Sequence, residues 1–216
     1  MRIKIYFTRN TSPVPFDYKE LVTGTIYKWL GEKRDLYHGR KHQRLTVSDL
    51  FGSRMVDNHL EFNNGGNFIL STSDEDLIMQ LFRGVISDKS MFSGIEVTNI
   101  EKVEEPDFNK KSFFKTKSMI FVKEDNKFYF PQDENFNEII KKKVNKKLVY
   151  NGLESDDTIQ FVFAEENLRI KCYKYKGISN KGFTGSFILF AKPETKKFLY
   201  ENGIGSSTAI GFGCFE

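Results

Sequence analysis

The sequence has few cysteines, few histidines and no long apolar run, and each shortage excludes a class of protein. The two cysteines, Cys172 and Cys214, are too few for a disulfide framework and lack the CxxC spacing of a zinc site. No apolar stretch approaches membrane-spanning length, and the first residues alternate charged and apolar side chains, which indicates a strand rather than a signal peptide. We therefore expect a soluble, cytoplasmic protein that does not contact a membrane.

The composition is that of a globular protein with a weakly basic character. Hydrophobic residues make up 39% of the chain and it has 22 phenylalanines, which is enough for packed cores. A length of 216 residues accommodates two small domains. The net charge is +4, and lysine and arginine are bunched locally, so a polyanion is a candidate partner.

Hydrophobic periodicity predicts an α+β fold made of two similar units. In the first half we expect strands at 2–8, 44–51, 54–62, 67–71 and 95–103, and helices at 17–30 and 74–87. In the second half we expect strands at 118–123, 127–130, 157–166, 168–176 and 183–191, helices at 133–148 and 193–202, and a final strand. The order β-α-β-β-α-β is that of the ferredoxin-like unit, in which two helices cover one face of an antiparallel sheet. We predict tandem ferredoxin-like, RRM-like domains at 1–104 and 112–216, joined by a linker at 105–111.

The second predicted helix has one apolar stripe along its length. Its members recur at helical spacing and are expected to face the core. They are Ile78, Leu81, Phe82 and Val85.

The most specific stretch is the C-terminal segment 203–213, which we call the glycine segment. Its glycines permit positive φ and close backbone approach, and a loop rich in N–H groups can form a cradle for phosphate. Rossmann and P-loop sites place such glycines between a strand and a long helix. Here a predicted helix precedes the glycines and only five residues follow Gly211, so we exclude a nucleotide cofactor.

The spacing G-x-G-x₅-G-h-G, with h apolar, resembles the signature of the repeat-associated RNA-binding (RAMP) superfamily of CRISPR systems. In particular it is similar to the endoribonucleases that process CRISPR precursor transcripts. Their tandem ferredoxin-like architecture resembles the two units predicted here, so the resemblance covers nearly the whole chain. It implies that the glycine segment helps to hold RNA. The residues concerned are Gly203, Gly205, Ser206, Ser207, Gly211 and Gly213.

The densest group of reactive side chains follows the first predicted helix, in residues 33–44. His38 and His42 stand there among five cations. A neutral imidazole can transfer a proton near pH 7, and the cations would attract phosphate and stabilise the charge that develops on it. Metal-free RNA cleavage needs these groups. No cluster of acidic residues supports a metal site, and the residues alone leave open a solvated basic loop without a function.

The resemblance implies roles for individual residues. Related nucleases carry a catalytic histidine after the first helix and ahead of a strand that begins with a basic residue; His38 fits this arrangement, and His42 is the alternative. Tyr27 resembles the active-site tyrosine of the family and would orient the attacking hydroxyl or share proton transfer, although an ordinary half-buried tyrosine stays open. Arg44 stands where some relatives have a lysine, and Lys41 is close in sequence. We expect both to contact the scissile phosphate.

A second group of candidates lies on the predicted strand 168–176. Alternation places Arg169, Lys171 and Tyr173 on one face, and Lys174 adds charge. Cations for phosphate and an aromatic ring for base stacking suit single-stranded or looped RNA. A cross-strand ladder without a ligand is the alternative. The lysines at 141–147 are expected to form a solvated helix face.

These observations predict a metal-independent endoribonuclease that cleaves CRISPR repeat RNA in precursor transcripts and needs no cofactor. It would act as a monomer or homodimer, with CRISPR effector-complex subunits as further candidate partners. One alternative is a non-cleaving member of the same superfamily that binds repeat RNA or belongs to an effector complex. A third class is a ferredoxin-like regulator that binds a small ligand.

Overall fold

The computed structural model describes residues 1–33 and 44–216. The elements of the N-terminal half are β1 (Arg2–Phe7), β2 (Val14–Pro15), α1 (Lys19–Leu30), β3 (Thr46–Val47), β4 (Arg54–Val56), β5 (His59–Glu61), β6 (Gly66–Ser71), α2 (Glu75–Ser87) and β7 (Val97–Lys102). Those of the C-terminal half are β8 (Phe113–Lys115), β9 (Lys123–Glu124), β10 (Lys127–Phe128), α3 (Phe136–Tyr150), β11 (Gln160–Phe163), β12 (Arg169–Tyr175), β13 (Ile178–Thr184), β14 (Ser186–Phe190) and α4 (Pro193–Asn202). Short 3₁₀ turns lie at Gly31–Lys33, Glu165–Asn167 and Thr208–Ile210.

The N-terminal sheet has the strand order of a ferredoxin-like unit. Its four antiparallel strands lie in the order β3-β6-β1-β7. Along β1 the residues Ile3, Ile5 and Phe7 are buried, because alternation turns them toward the helices. The predicted α+β, ferredoxin-like fold is confirmed for this half.

Helices α1 and α2 pack against each other on one face of this sheet. Gly84 of α2 lies so close to α1 that a Cβ atom there would come within 2.1 Å of the Trp29 carbonyl oxygen. Asp74 is the N-cap of α2, and its carboxylate accepts a hydrogen bond from the Leu77 N–H at 3.0 Å. The prediction that Phe82 belongs to the buried stripe is wrong, because its side chain is 39% exposed.

The C-terminal half repeats this order with the end of the chain as its last strand. Its sheet runs β11-β14-β8. Lys115 and Glu216 then exchange two backbone hydrogen bonds of 2.7 and 2.8 Å, which add the terminal segment beside β8. Helices α3 and α4 cover one face, and the core beneath them is rich in phenylalanine, including Phe114, Phe161 and Phe187.

Several strand predictions need correction. The segment 54–62 forms the hairpin β4-β5, which pairs with β2 in a separate small sheet. The predicted strand 183–191 is split, since β13 pairs with β12 whereas β14 joins the main sheet. The first strand of the second unit is β8, not 118–123; of that segment, Ile120 and Phe121 make isolated bridges and Lys123 begins β9. Alternation identifies an extended segment but does not identify its partner.

The apolar core is divided between the two halves. One buried cluster draws on residues 3–97 together with Ala209, and another on residues 108–215. The exact domain boundaries, with a linker at 105–111, stay a prediction. Within residues 1–33 and 44–216 no helix has the length and apolar character needed to cross a bilayer.

Candidate functional site

The glycine segment lies between the two halves and is largely buried. All four of its glycines have positive φ, between 73° and 94°. A Cβ atom on Gly213 would lie 2.0 Å from the Ile204 carbonyl oxygen, and one on Gly205 would lie 2.5 Å from that of Phe121. Glycine is therefore required here by backbone conformation and by close packing within the protein.

Most N–H groups of the glycine segment donate hydrogen bonds inside the protein. The N–H groups of Ser206 and Gly213 donate to the Phe121 and Met119 carbonyls at 2.7 and 2.8 Å, and that of Gly211 donates to Thr208. They are not available as the phosphate cradle that the sequence suggested. The exposed part of the segment is its bend at Ser207, which adopts left-handed φ. Contact between the six predicted residues of this segment and RNA stays a prediction.

Two buried lysines, one from each half, hold the glycine segment in place. Lys19 of α1 donates to the Gly211 carbonyl at 2.6 Å and forms an ion pair of 2.7 Å with Asp49. Lys147 of α3 donates to the carbonyls of Asn202 and Gly203 at 2.6 and 3.1 Å. Burial lowers the pKa of Lys147 from 10.5 to about 7. The segment is thus fixed by charge-assisted hydrogen bonds.

Sequence reasoning missed both lysines. The prediction that the run 141–147 is wholly solvated is wrong for Lys147, which is buried. A signal was present, because Lys147 lies seven residues after Ile140 and three after Val144, on the buried stripe of α3. Long lysine side chains can occupy such positions when carbonyl acceptors are within reach.

A third buried cation ties the first strand to the chain end. The Arg2 guanidinium donates to the Phe215 carbonyl at 2.7 Å and to the Tyr200 carbonyl, and it stacks on the Tyr200 ring at 3.4 Å. The amino group of Met1 pairs with Glu201 at 2.5 Å. These contacts join β1 to the end of α4, so the two halves share one network.

The described members of the predicted catalytic set are Tyr27 and Arg44. Tyr27 is half-buried on α1 and packs against the N-terminal core. Arg44 is exposed, and its Nε donates to Asn151 Oδ1 at the end of α3 at 2.5 Å. The predicted residues His38, Lys41 and His42 lie outside the described residues. The catalytic assignment as a whole therefore stays a prediction.

The hairpin β12-β13 crosses from the C-terminal half onto α1. The backbone N–H of Lys174 donates to Asp17 at 3.0 Å, and that of Lys176 donates to Glu20. The side chain of Tyr175 is hydrogen bonded to Thr23, and burial raises its pKa. The carboxylates of Asp17 and Glu20 and the hydroxyl of Thr23 thus fix the hairpin tip beside α1, the helix that carries the predicted active-site tyrosine.

The predicted RNA-binding residues of β12 divide into two kinds. Tyr173 is half-buried, with its ring 6.5 Å from that of Tyr18, so part of its surface packs against the protein. Arg169, Lys171 and Lys174 are exposed, and Lys171 lies 3.9 Å from a carboxylate oxygen of Asp49. The three cations remain available to a phosphate backbone, and their contact with RNA stays a prediction.

The C-terminal half matches a known protein family. The family model described as CRISPR-associated protein Cas6, C-terminal, covers residues 102–216, which is more than half of the chain and includes the whole glycine segment. The chain belongs to the Cas6 family. A comparison with curated protein sequences found no match.

Solved structures of Cas6-related proteins have the same fold over the whole chain. One is the product of a Cas6-related gene from Pyrococcus furiosus, with a TM-score of 0.88, 21% identity, and coverage of 100% of this chain and 97% of that one. Another, described as a RAMP protein binding different RNA substrates, has a TM-score of 0.88, 22% identity, and coverage of 100% and 98%. A product complex of Thermus thermophilus Cas6 has a TM-score of 0.70, 13% identity, and coverage of 99% and 98%.

The described part of this Cas6-family chain brings together no group of three His, Cys, Asp or Glu side chains that could hold a metal ion. Outside the segment 34–43, the one histidine is His59, which begins β5. Its Nε2 lies 3.4 Å from a carboxylate oxygen of Glu61. Proton-transfer chemistry at the predicted site therefore depends on residues beyond the described ranges or on tyrosine.

Proposed function

We propose that the protein is an endoribonuclease that cleaves CRISPR repeat RNA in precursor transcripts without a metal ion. The observation that carries this proposal is the Cas6 family match, which includes the glycine segment and the terminal segment that follows it. The exposed cations near the junction of the two halves are complementary to a polyanionic substrate.

In the proposed reaction the 2′-hydroxyl oxygen attacks the adjacent phosphorus, and the bond from phosphorus to the 5′-oxygen of the next nucleotide breaks. The 2′-hydroxyl loses its proton to a base and the leaving 5′-oxygen gains one from an acid. The products are a 2′,3′-cyclic phosphate and a 5′-hydroxyl. Proton transfer by a positioned side chain typically accelerates a reaction by about 10²- to 10⁴-fold.

We assign proton transfer to His38, with Tyr27 as its partner and His42 as the alternative. Lys41 and Arg44 would neutralise the phosphate as its charge grows in the transition state. Arg44 can do so with two parallel N–H groups, whereas Lys41 would act as a point charge. In the free protein the Arg44 side chain is held by Asn151, so RNA binding would exchange that hydrogen bond for one to phosphate.

The test is incubation with a CRISPR repeat RNA in EDTA, with product ends identified by enzymatic treatment and mass spectrometry. We expect a cyclic phosphate and a 5′-hydroxyl, and loss of cleavage when the nucleotide at the cut carries a 2′-deoxyribose. His38→Ala should reduce the single-turnover rate by about 10²- to 10⁴-fold. His59→Ala is the matched control, because His59 lies on a separate small sheet, and it should cleave as the wild type does.

Other outcomes distinguish the rival functions. A gel shift without cleavage would overturn the nuclease proposal in favour of a repeat-RNA-binding or effector-complex subunit. Neither binding nor cleavage would favour a regulator that binds a small ligand. Unchanged turnover in both His38→Ala and His42→Ala would refute the assignment of the catalytic base.

A further inference from the structure

Helix α2 exposes three large apolar side chains in a row on its surface. Met79, Phe82 and Ile86 are 47%, 39% and 62% exposed. Their spacings of three and four residues place them on one face of the helix, with neighbouring Cβ atoms about 5–6 Å apart. We call these three residues the α2 stripe. Single exposed apolar residues need no explanation, whereas a contiguous group marks an interaction surface.

The α2 stripe is separate from the apolar face that holds the helix in the fold. Ile78, Leu81 and Val85 are buried in the N-terminal core, and Gly84 lies against Trp29 of α1. At 3.6 residues per turn, the α2 stripe lies on the opposite side of the helix from Gly84. A helix that is apolar on more than one side is typical of a helix covered on more than one side.

The charges beside the α2 stripe are separated by sign along the helix. Glu75, in the first turn, lies four residues before Met79 on the same face, and Lys89 lies just beyond the end of the helix. Both are exposed, and within residues 1–33 and 44–216 neither side chain has an ion-pair partner. Each lies seven residues from Phe82, which for Glu75 is about 10 Å along the helix axis. The surface is therefore acidic at one end, apolar in the middle and basic at the other end.

The remaining charges of α2 keep this polarity. Asp76 adds to the acidic end and Arg83 to the basic half, whereas Asp88 is already paired with Lys28 at 2.8 Å. Such a surface is complementary to itself when two copies of the helix run antiparallel, because each acidic end then meets a basic end. A contact of this kind is isologous, so both copies use the same residues and the assembly closes as a dimer.

We propose that the α2 stripe is the interface of a homodimer in which two copies of α2 pack antiparallel about a two-fold axis beside Phe82. The two Phe82 rings would contact each other, Met79 would contact Ile86 of the second copy, and Glu75 would pair with Lys89 of the second copy. The symmetry makes each unlike contact occur twice. Aromatic side chains at the centre of an interface contribute much of its binding energy.

A dimer held by one helix from each copy should be weak. Its interface is smaller than the standard size of about 800 Å² per partner, so we expect a dissociation constant of about 10–100 μM. The α2 stripe faces away from α1, so the contact does not use the helix that carries the predicted active-site tyrosine. The inference goes beyond the proposed function and does not depend on it.

The first test is sedimentation velocity without RNA, over protein concentrations from about 1 to 300 μM, which bracket the expected constant. The wild type should shift from monomer to dimer across this range. Phe82→Ala should weaken dimerisation by about 30-fold or more, because both copies lose the central ring. Alanine is a good helix former, so α2 should be retained. The matched control is Val149→Ala, at an exposed apolar position of α3, which should dimerise as the wild type does.

The second test reverses the two charges. Glu75→Lys and Lys89→Glu should each weaken dimerisation by about 5- to 50-fold, because each substitution creates two contacts between like charges. The double variant Glu75→Lys with Lys89→Glu restores both pairs with their signs exchanged, so it should dimerise as the wild type does. An equimolar mixture of the two single variants should form a heterodimer for the same reason.

Equal melting temperatures of monomeric variants and wild type, measured at low protein concentration, would show that the variants fold. The proposal is overturned if the wild type stays monomeric over the whole concentration range, or if the double charge variant does not recover. It is also overturned if Phe82→Ala dimerises as the wild type does, since another surface would then join the copies. RNA cleavage per subunit by Phe82→Ala should equal that of the wild type. A wild type that dimerises but does not cleave RNA would refute the proposed function and leave the interface intact.

Discussion

The buried ammonium group of Lys147 makes the stability of the protein depend on pH between neutral and alkaline conditions. It is surrounded by the carbonyls of Asn202 and Gly203 and by the hydroxyl of Thr208, and among residues 1–33 and 44–216 no carboxylate pairs with it. Burial therefore disfavours its charged form, and its pKa falls from 10.5 to about 7. Replacement of Lys147 by methionine keeps the length and apolar character of the side chain and removes the charge.

The sign and size of the effect follow from proton linkage. Above about pH 10.5 the lysine is neutral in both the unfolded and the folded protein, so it carries no charge penalty. As the pH falls, the unfolded chain gains a proton that the folded protein binds poorly, and the penalty grows until about pH 7, where it is complete. The free energy of unfolding should rise by about 2 kcal/mol between pH 7 and pH 9, which corresponds to about 4–8 °C in melting temperature for a protein of this size.

The assay is urea denaturation of the wild type and Lys147→Met at a series of pH values, followed by circular dichroism. The quantity of interest is the difference between the two curves, since all other titrating groups are common to both proteins. The loss of a donor for the two carbonyls shifts the variant by an amount that does not depend on pH. We expect the difference to change by about 2 kcal/mol between pH 7 and pH 9. Lys146→Met, at the exposed position one residue earlier on α3, is the control. Its curve of unfolding free energy against pH should run parallel to that of the wild type. Parallel curves for the wild type and Lys147→Met would refute this reasoning.

Two further substitutions test the packing of the glycine segment. Gly213→Ala should destabilise the protein by about 2–5 kcal/mol, because left-handed φ and overpacking both disfavour a Cβ atom there. Gly177→Ala, at a glycine with similar φ and open space around it, should lose only about 1–2 kcal/mol in the same urea experiment; equal losses would exclude the steric argument. Lys19→Met should destabilise by about 3 kcal/mol because it removes the 2.7 Å ion pair of the largely buried Asp49 carboxylate and leaves only Lys171, 3.9 Å away. Most of that loss should disappear in a Lys19→Met and Asp49→Asn double variant, and additive losses would show that the pair does not interact.

Local patterns were sufficient for much of the fold. The helices predicted at 17–30 and 74–87 from helical spacing correspond to α1 and α2. Such features depend on contacts within a few residues along the chain. The glycine spacing was specific enough to suggest the right superfamily, because positive φ and close approach leave few alternatives to glycine at those positions.

Strand partners and the burial of charged residues could not be predicted in this way. The segment 183–191 was predicted as one strand, yet its first residues pair with β12 and the others join the main sheet. The exposed apolar side chains on the open face of the C-terminal sheet have the same origin: β8, β11 and β14 have apolar residues on both sides, a pattern typical of strands buried on both faces, although one face is open. Pairing between distant segments decides both outcomes.

The sequence by itself determined the helices, the two ferredoxin-like units and the position of the glycine segment, since each depends on residue type and short-range spacing. The tertiary structure decided which side chains hold that segment and which surface is left open. Lys19, Lys147 and Arg2 become buried because distant carbonyls lie within their reach, and no local pattern contains that information. A buried cation is stable only where the folded chain supplies its acceptors, so its position is a property of the whole fold.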